Sequence, residues 1–166
     1  MIREATPGDA PQLLELKLQL DSETTSMMLE PGERSQSIEA ERRAIQEAVD
    51  RPNSTILIAA GEGEITGYLE VTGGEFRRNA HVGVVVIGVR RASAGRGIGT
   101  QLFQALERWA TPAGITRLEL TVLTDNKPAI HLYQKMGFEI EGTRRASMNV
   151  AGDRKDEYWM ARLLTS

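Results

Sequence analysis

A chain of 166 residues, 40% hydrophobic and 26% charged, has the size and composition of one globular domain, residues 1–166. A net charge of −3 argues against a nucleic-acid partner, and no apolar run reaches the roughly 18 residues of a membrane span. There is no cysteine, and the histidines are only His81 and His131. Disulfides, thiolate chemistry and Cys-zinc centres are therefore excluded and no metal site is expected. The N-terminus, Met1-Ile2-Arg3-Glu4-Ala5, lacks an apolar signal segment, so a cytoplasmic location is expected.

The first strand is predicted at Met1–Ala5, followed by a turn at Thr6-Pro7-Gly8-Asp9 in which Asp9 or a neighbour can cap a helix carrying Leu13, Leu14, Leu16, Leu18 and Leu20. Pro31-Gly32 breaks the chain before a second helix over Ser37–Asp50. Thr55–Ala60 and Ile65–Val71, joined by Gly61-Glu62-Gly63-Glu64, read as an antiparallel hairpin, and His81–Val89 as a long Val-rich strand. Ile98, Leu102, Ala105, Leu106 and Trp109 keep helical spacing up to Pro112 and Gly114. Leu118–Val122 is again a strand, so this stretch is a strand–helix–strand crossover, which favours parallel strands. A further helix begins near Asn126, with Pro128 in its first turn, Ala129, Leu132, Tyr133 and Met136 on one face, and Gly137 as its C-cap. Phe138–Met148 and Lys155–Leu164 form a long hairpin. The result is a mixed α/β fold, with antiparallel hairpins flanking a central βαβα unit.

Ala94-Gly95-Arg96-Gly97-Ile98-Gly99-Thr100 joins the Val-rich strand to its helix. Glycines let backbone N–H groups approach a ligand closely, and the helix start adds free donors and a positive dipole end. That combination suits phosphate, and Arg90, Arg91 and Arg96 add charge. A P-loop is absent, since no Lys-Ser/Thr follows the last glycine. A dinucleotide fingerprint is the rival: Gly95 and Gly97 fit its first two glycines, and Glu119 lies where its ribose-binding acid would sit. Its third glycine is replaced by Thr100, and Gly95 does not follow directly on the strand that ends at Val89.

The loop resembles the pyrophosphate-binding motif of the GNAT (GCN5-related) N-acetyltransferases, Gln/Arg-x-x-Gly-x-Gly/Ala, through Gly97 and Gly99; Ala94 stands at the Gln/Arg position. Asn126-Lys127-Pro128-Ala129-Ile130-His131-Leu132-Tyr133-Gln134-Lys135-Met136-Gly137-Phe138 is similar to the family's second signature at every marked position, Asn126, Ala129, Leu132, Tyr133, Gly137 and Phe138. The C-terminal hairpin resembles the branch containing ribosomal-protein and amino-acid N-acetyltransferases.

The resemblance implies a GNAT fold, a mixed, mostly antiparallel sheet of about seven strands around an acetyl-CoA-binding βαβα core. It implies that Ile87, Gly88 and Val89 pair with the pantetheine arm and polarise the thioester, that Gly95, Arg96, Gly97, Ile98, Gly99 and Thr100 hold the pyrophosphate, and that Asn126, Ala129 and Tyr133 also contact acetyl-CoA. Tyr133 is the expected general acid, since a hydroxyl with an ordinary pKa near 10 suits a departing thiolate. The family's N-terminal acetyltransferases often carry a glutamate five positions before the motif Asn, where this chain has Thr121. Glu119 on the same strand face is therefore the first candidate base, with Glu70, His81 or a water chain as alternatives.

The resemblance implies a primary amine acceptor, of a small molecule or a peptide N-terminus, and an acidic rim of Asp21, Glu23, Glu30 and Glu33 would draw it. A homodimer is compatible with the Val-rich strands. Two other classes stay open at this level. A non-catalytic acyl-CoA sensor binds the cofactor without amine-dependent turnover, and a nicotinamide oxidoreductase responds to NAD.

Overall fold

The computed structural model describes residues 1–164. Its elements are β1 (Ile2–Glu4), α1 (Ala10–Glu23), α2 (Ile38–Asp50), β2 (Thr55–Ala60), β3 (Ile65–Gly73), β4 (Val82–Val89), α3 (Ile98–Ala110), β5 (Arg117–Leu123), α4 (Lys127–Lys135), β6 (Glu139–Val150) and β7 (Asp153–Leu163), with short 3₁₀ turns at Pro7–Asp9 and Arg91–Ser93. They form a sheet of seven strands in the order β1-β2-β3-β4-β5-β7-β6. Every neighbouring pair is antiparallel except β4 and β5, which are parallel as the intervening helix requires. None of the described helices is long and apolar enough to cross a membrane.

Strand alternation divides the core into two layers. Leu57, Leu69, Val71, Val85, Leu118, Leu120 and Met160 meet α3 and α4 through Leu102, Phe103, Leu106, Ile130 and Tyr133. The alternate residues Ile56, Ile58 and Tyr68 face α1 and α2, meeting Leu13, Leu16, Leu20 and Ile45. Lys17, which the leucine spacing of α1 leaves unmarked, lies in this second layer, 6% exposed, with Nζ 2.7 Å from Glu41 Oε1.

The C-terminal hairpin closes through Ala151 (φ 52°) and Gly152 (φ 88°), two consecutive left-handed residues that match the strand twist. Its second strand, β7, inserts between β5 and β6 and leaves β6 at the edge.

Asp9 differs from its expected role as the side-chain cap of α1, where it makes no capping bond. Its Oδ2 accepts from the Thr6 backbone N–H (2.8 Å), and Arg3 donates to both carboxylate oxygens at 2.8 Å, so it closes a capping box over the preceding turn. Those donors, chiefly Arg3, hold the Asp9 carboxyl down at about 2. A depressed native value stabilises the fold above the unfolded value, near 3.9, and that stability is lost as pH falls towards 2. Asp9→Asn is expected to cost about 1 kcal/mol at pH 6 and almost nothing near pH 2, read from urea midpoints at the two values.

Candidate functional site

β4 and β5 pair only over Val82–Val84 with Arg117–Glu119. Beyond that point they splay, while β4 stays paired with β3 as far as Val89 opposite Gly67. An antiparallel ladder engages alternate residues, so half the backbone N–H and C=O groups between Val85 and Val89 face the gap. A cavity of about 710 Å³ fills it, bounded by Val85–Val89, Leu120–Leu123, the start of α3, the inner face of α4 and the end of α1 with Ser26–Met28. This volume suits a small-molecule site. Gly88 allows α1 to close one side: a Cβ there would lie 2.6 Å from Leu20 Cδ1 and 3.1 Å from the Tyr68 ring.

The start of α3 forms one end of the cavity. Gly95 (φ 79°) and Gly97 (φ 76°) take left-handed conformations that glycine adopts without cost, with nothing within 4 Å of where a Cβ would stand. Among the described residues, none of the N–H groups of residues 95–100 has a protein acceptor. Two of the three arginines read as phosphate partners are otherwise engaged. Arg90 reaches Glu64 at 2.6 Å, and the Arg91 guanidinium donates to the Glu23 carbonyl. Arg96 is exposed and without an ion-pair partner among the described residues.

The second motif forms α4. Asn126 is its N-cap: the side-chain oxygen accepts from Ala129 N–H at 3.4 Å, and Nδ2 donates to Ser26 Oγ at 3.1 Å, linking α4 to the segment after α1. A Cβ on Gly99 would sit 2.8 Å from Leu132, so the two motifs pack directly together. Tyr133 is 8% exposed, its ring edge-on to Phe103 at 5.8 Å. Burial pushes its hydroxyl up to about 12, which keeps it protonated at neutral pH. The hydroxyl has no hydrogen-bond partner among the described residues. Arg90 Nε is the only sealed side-chain polar atom there that lacks one, so the Tyr133 oxygen is accessible, on a residue that lines the cavity.

Several expected residues lie elsewhere. Glu119 does not line the cavity: Arg117 Nε donates to its Oε2 at 3.2 Å, and the same guanidinium holds Glu141 at 2.6 and 3.0 Å. Strand alternation would place Glu119 with Thr121, but Thr121 borders the cavity beyond the splay and Glu119 lies at the paired end of β5. Glu70 and His81 are also outside the cavity. The acidic rim is weaker than its composition suggests, because Asp21 is buried and accepts two bonds from Arg34, at 2.7 and 3.0 Å. Glu157, which no sequence motif marks, is 5% exposed and lies on the cavity wall. Alternation on β7 groups it with Trp159 and Ala161, but only the register, Leu123 opposite Glu157, places it at this opening.

The sequence model of the Acetyltransferase (GNAT) family matches residues 19–138. An L-amino acid N-acetyltransferase of Escherichia coli is 36% identical over 118 residues, 69% of this chain and 71% of that protein. An L-methionine sulfoximine/L-methionine sulfone acetyltransferase of Pseudomonas paraeruginosa is 31% identical over 145 residues, covering 85% and 81% of the two chains. A GNAT-family acetyltransferase structure from Streptococcus pneumoniae superposes with a TM-score of 0.95 at 31% identity, over 99% of each chain.

Proposed function

Because the chain belongs to the GNAT family and is an acetyl-CoA-dependent acetyltransferase, we propose that it acts as one domain and moves the acetyl group directly to the primary amine of a free amino acid or a peptide N-terminus, with Tyr133 as general acid. The observation that carries this reading is the convergence, on one cavity, of the unpaired β4 edge, the free N–H groups at the start of α3 and the Tyr133 hydroxyl.

The residues fit acetyl-CoA. The N–H groups of residues 95–100 and the dipole of α3 would take the pyrophosphate, and the open space at Gly95 and Gly97 lets it approach the backbone. The edge at Ile87-Gly88-Val89 would pair with the extended arm and offer an N–H to the thioester oxygen. When bound, acetyl-CoA supplies the activated acyl group; the protein aligns it, excludes water and moves protons. Leu20, Leu120, Leu132 and Met148 give the cavity an apolar lining. The named relatives favour an amino-acid acceptor. A ribosomal-protein-alanine N-acetyltransferase structure from Brucella melitensis, at 25% identity, supports the peptide alternative.

The test is a panel of amines containing L-amino acids, L-methionine sulfone and a peptide beginning with alanine, read by CoA-thiol release. Release that requires both acetyl-CoA and an amine is expected. Cofactor binding with no amine-dependent release would instead mark a sensor, and thermal stabilisation by NAD rather than acetyl-CoA would mark an oxidoreductase.

Gly97→Ala places a Cβ at φ 76° and costs about 1–2 kcal/mol in the conformation the loop needs. The expected result is acetyl-CoA binding weakened about 5- to 30-fold by calorimetric titration. Gly97→Asn, which tolerates left-handed backbone, should lose less.

A further inference from the structure

Glu157 is the buried acidic side chain on the cavity wall, and the chain around it is distorted in a way that serves it. β6 and β7 are in register at Arg144 opposite Glu157 and again at Met148 opposite Lys155, so residues 145–147 bulge opposite Asp156 alone. At the bulge Ala146 has φ 52°, a left-handed conformation that is costly for alanine. Its N–H donates to Asp156 Oδ1 at 2.7 Å, which holds the distortion in place. The bulge brings Ser147 Oγ to 2.8 Å from Glu157 Oε1, and Arg144 Nη1 donates to the same oxygen at 3.2 Å. Met148 then returns to the cavity wall. Bulges beside sites re-aim side chains, and this one locks a single carboxylate oxygen.

The other oxygen, Oε2, has no hydrogen-bond partner among the described residues, and it is not one of the sealed atoms. It is therefore an accessible oxygen on a residue that lines the same cavity as Tyr133. A buried carboxylate with one oxygen fixed and one free is suited to receive a cation.

We propose that Glu157 is the proton acceptor for the incoming amine, its Oε2 receiving the ammonium; this rests on the acetyl transfer proposed above. The ammonium gives one proton to Oε2, and Glu157 returns it to solvent. As the C–N bond forms and the C–S bond breaks, sulfur takes a proton from Tyr133. The nitrogen's second proton passes through solvent to restore Tyr133, so each turnover releases one proton and one CoA thiol. Ser147 and Arg144 are positioning residues.

The charged and titratable groups around Glu157 are Arg144 on β6, Tyr133 across the cavity on α4 and Glu23 at the end of α1. With L-methionine sulfone and an alanine-initiated peptide as probes, Glu157→Gln is expected to lower kcat/KM for the amine about a hundredfold at pH 7. The loss should shrink as pH approaches the amine's own pKa, where the nucleophile is already neutral, and acetyl-CoA affinity should stay within about twofold. Glu157→Asp should recover part of the rate. Retention of turnover within about threefold at pH 7, or a loss equal at every pH, overturns the proposal while leaving acetyl transfer intact. If Glu157→Gln does not fold, Ser147→Ala carries the test, and an unchanged pH profile of kcat/KM overturns it. A native protein that binds acetyl-CoA but acetylates neither probe overturns the acceptor class and this proposal together.

Discussion

Tyr133→Phe is expected to lower kcat at least about tenfold and to leave the acetyl-CoA dissociation constant nearly unchanged. The substitution removes one hydroxyl and keeps the ring, whose contacts with Phe103 (edge-on, 5.8 Å between centroids) and Phe138 (tilted, 6.1 Å) hold α4 in the core. The hydroxyl has no protein partner to lose, so the fold should not suffer. Its value near 12 reflects burial, which disfavours the phenolate. Tyr133 therefore stays protonated throughout the working range, and a basic limb below pH 10 in the native profile would have to arise elsewhere. Single-turnover measurements separate the steps: the defect belongs in acyl transfer, not in cofactor binding. An unchanged kcat would remove Tyr133 from the chemistry and leave it as a core aromatic.

Lys17→Met should destabilise the protein by about 3–5 kcal/mol, because it leaves the Glu41 carboxylate buried without its partner. The two side chains are 8% and 10% exposed, and Lys17 Nζ also lies 5.3 Å from the Tyr68 ring centroid. The double variant Lys17→Met, Glu41→Leu should regain most of the loss, since two apolar groups need no mutual charge. Urea denaturation of the four proteins of the cycle gives the coupling directly. The pair joins α1 to α2, and α1 ends at Glu23 on the cavity rim. The single variant should accordingly raise KM for the amine more than that for acetyl-CoA. Single-variant losses that simply add up to the loss in the double variant would show that the pair is not coupled.

The glycine loop and the α4 motif, proposed above to hold acetyl-CoA, were readable because their determinants are local. Glycines at 95, 97 and 99, the Asn126 cap, Pro128 and the 129-132-133-136 face each act within a turn or two of chain. Their order around a strand carried the family resemblance. The acceptor half was not readable in this way. Glu119 looked available because its neighbours in sequence do not reveal Arg117 folding onto it. Asp21 looked like part of an acidic rim because Arg34, thirteen positions on, is brought back by a loop with no periodic pattern.

The βαβα unit, both hairpins and the two motifs were legible along the chain, since backbone preference and apolar period specify elements and their order. Where β4 and β5 part, the insertion of β7 beside β5 and the β6 bulge that turns Ser147 and Arg144 onto Glu157 emerge only from the packed sheet. Those outcomes depend on strand register between distant segments, and a one-residue slip would send Glu157 to the opposite face.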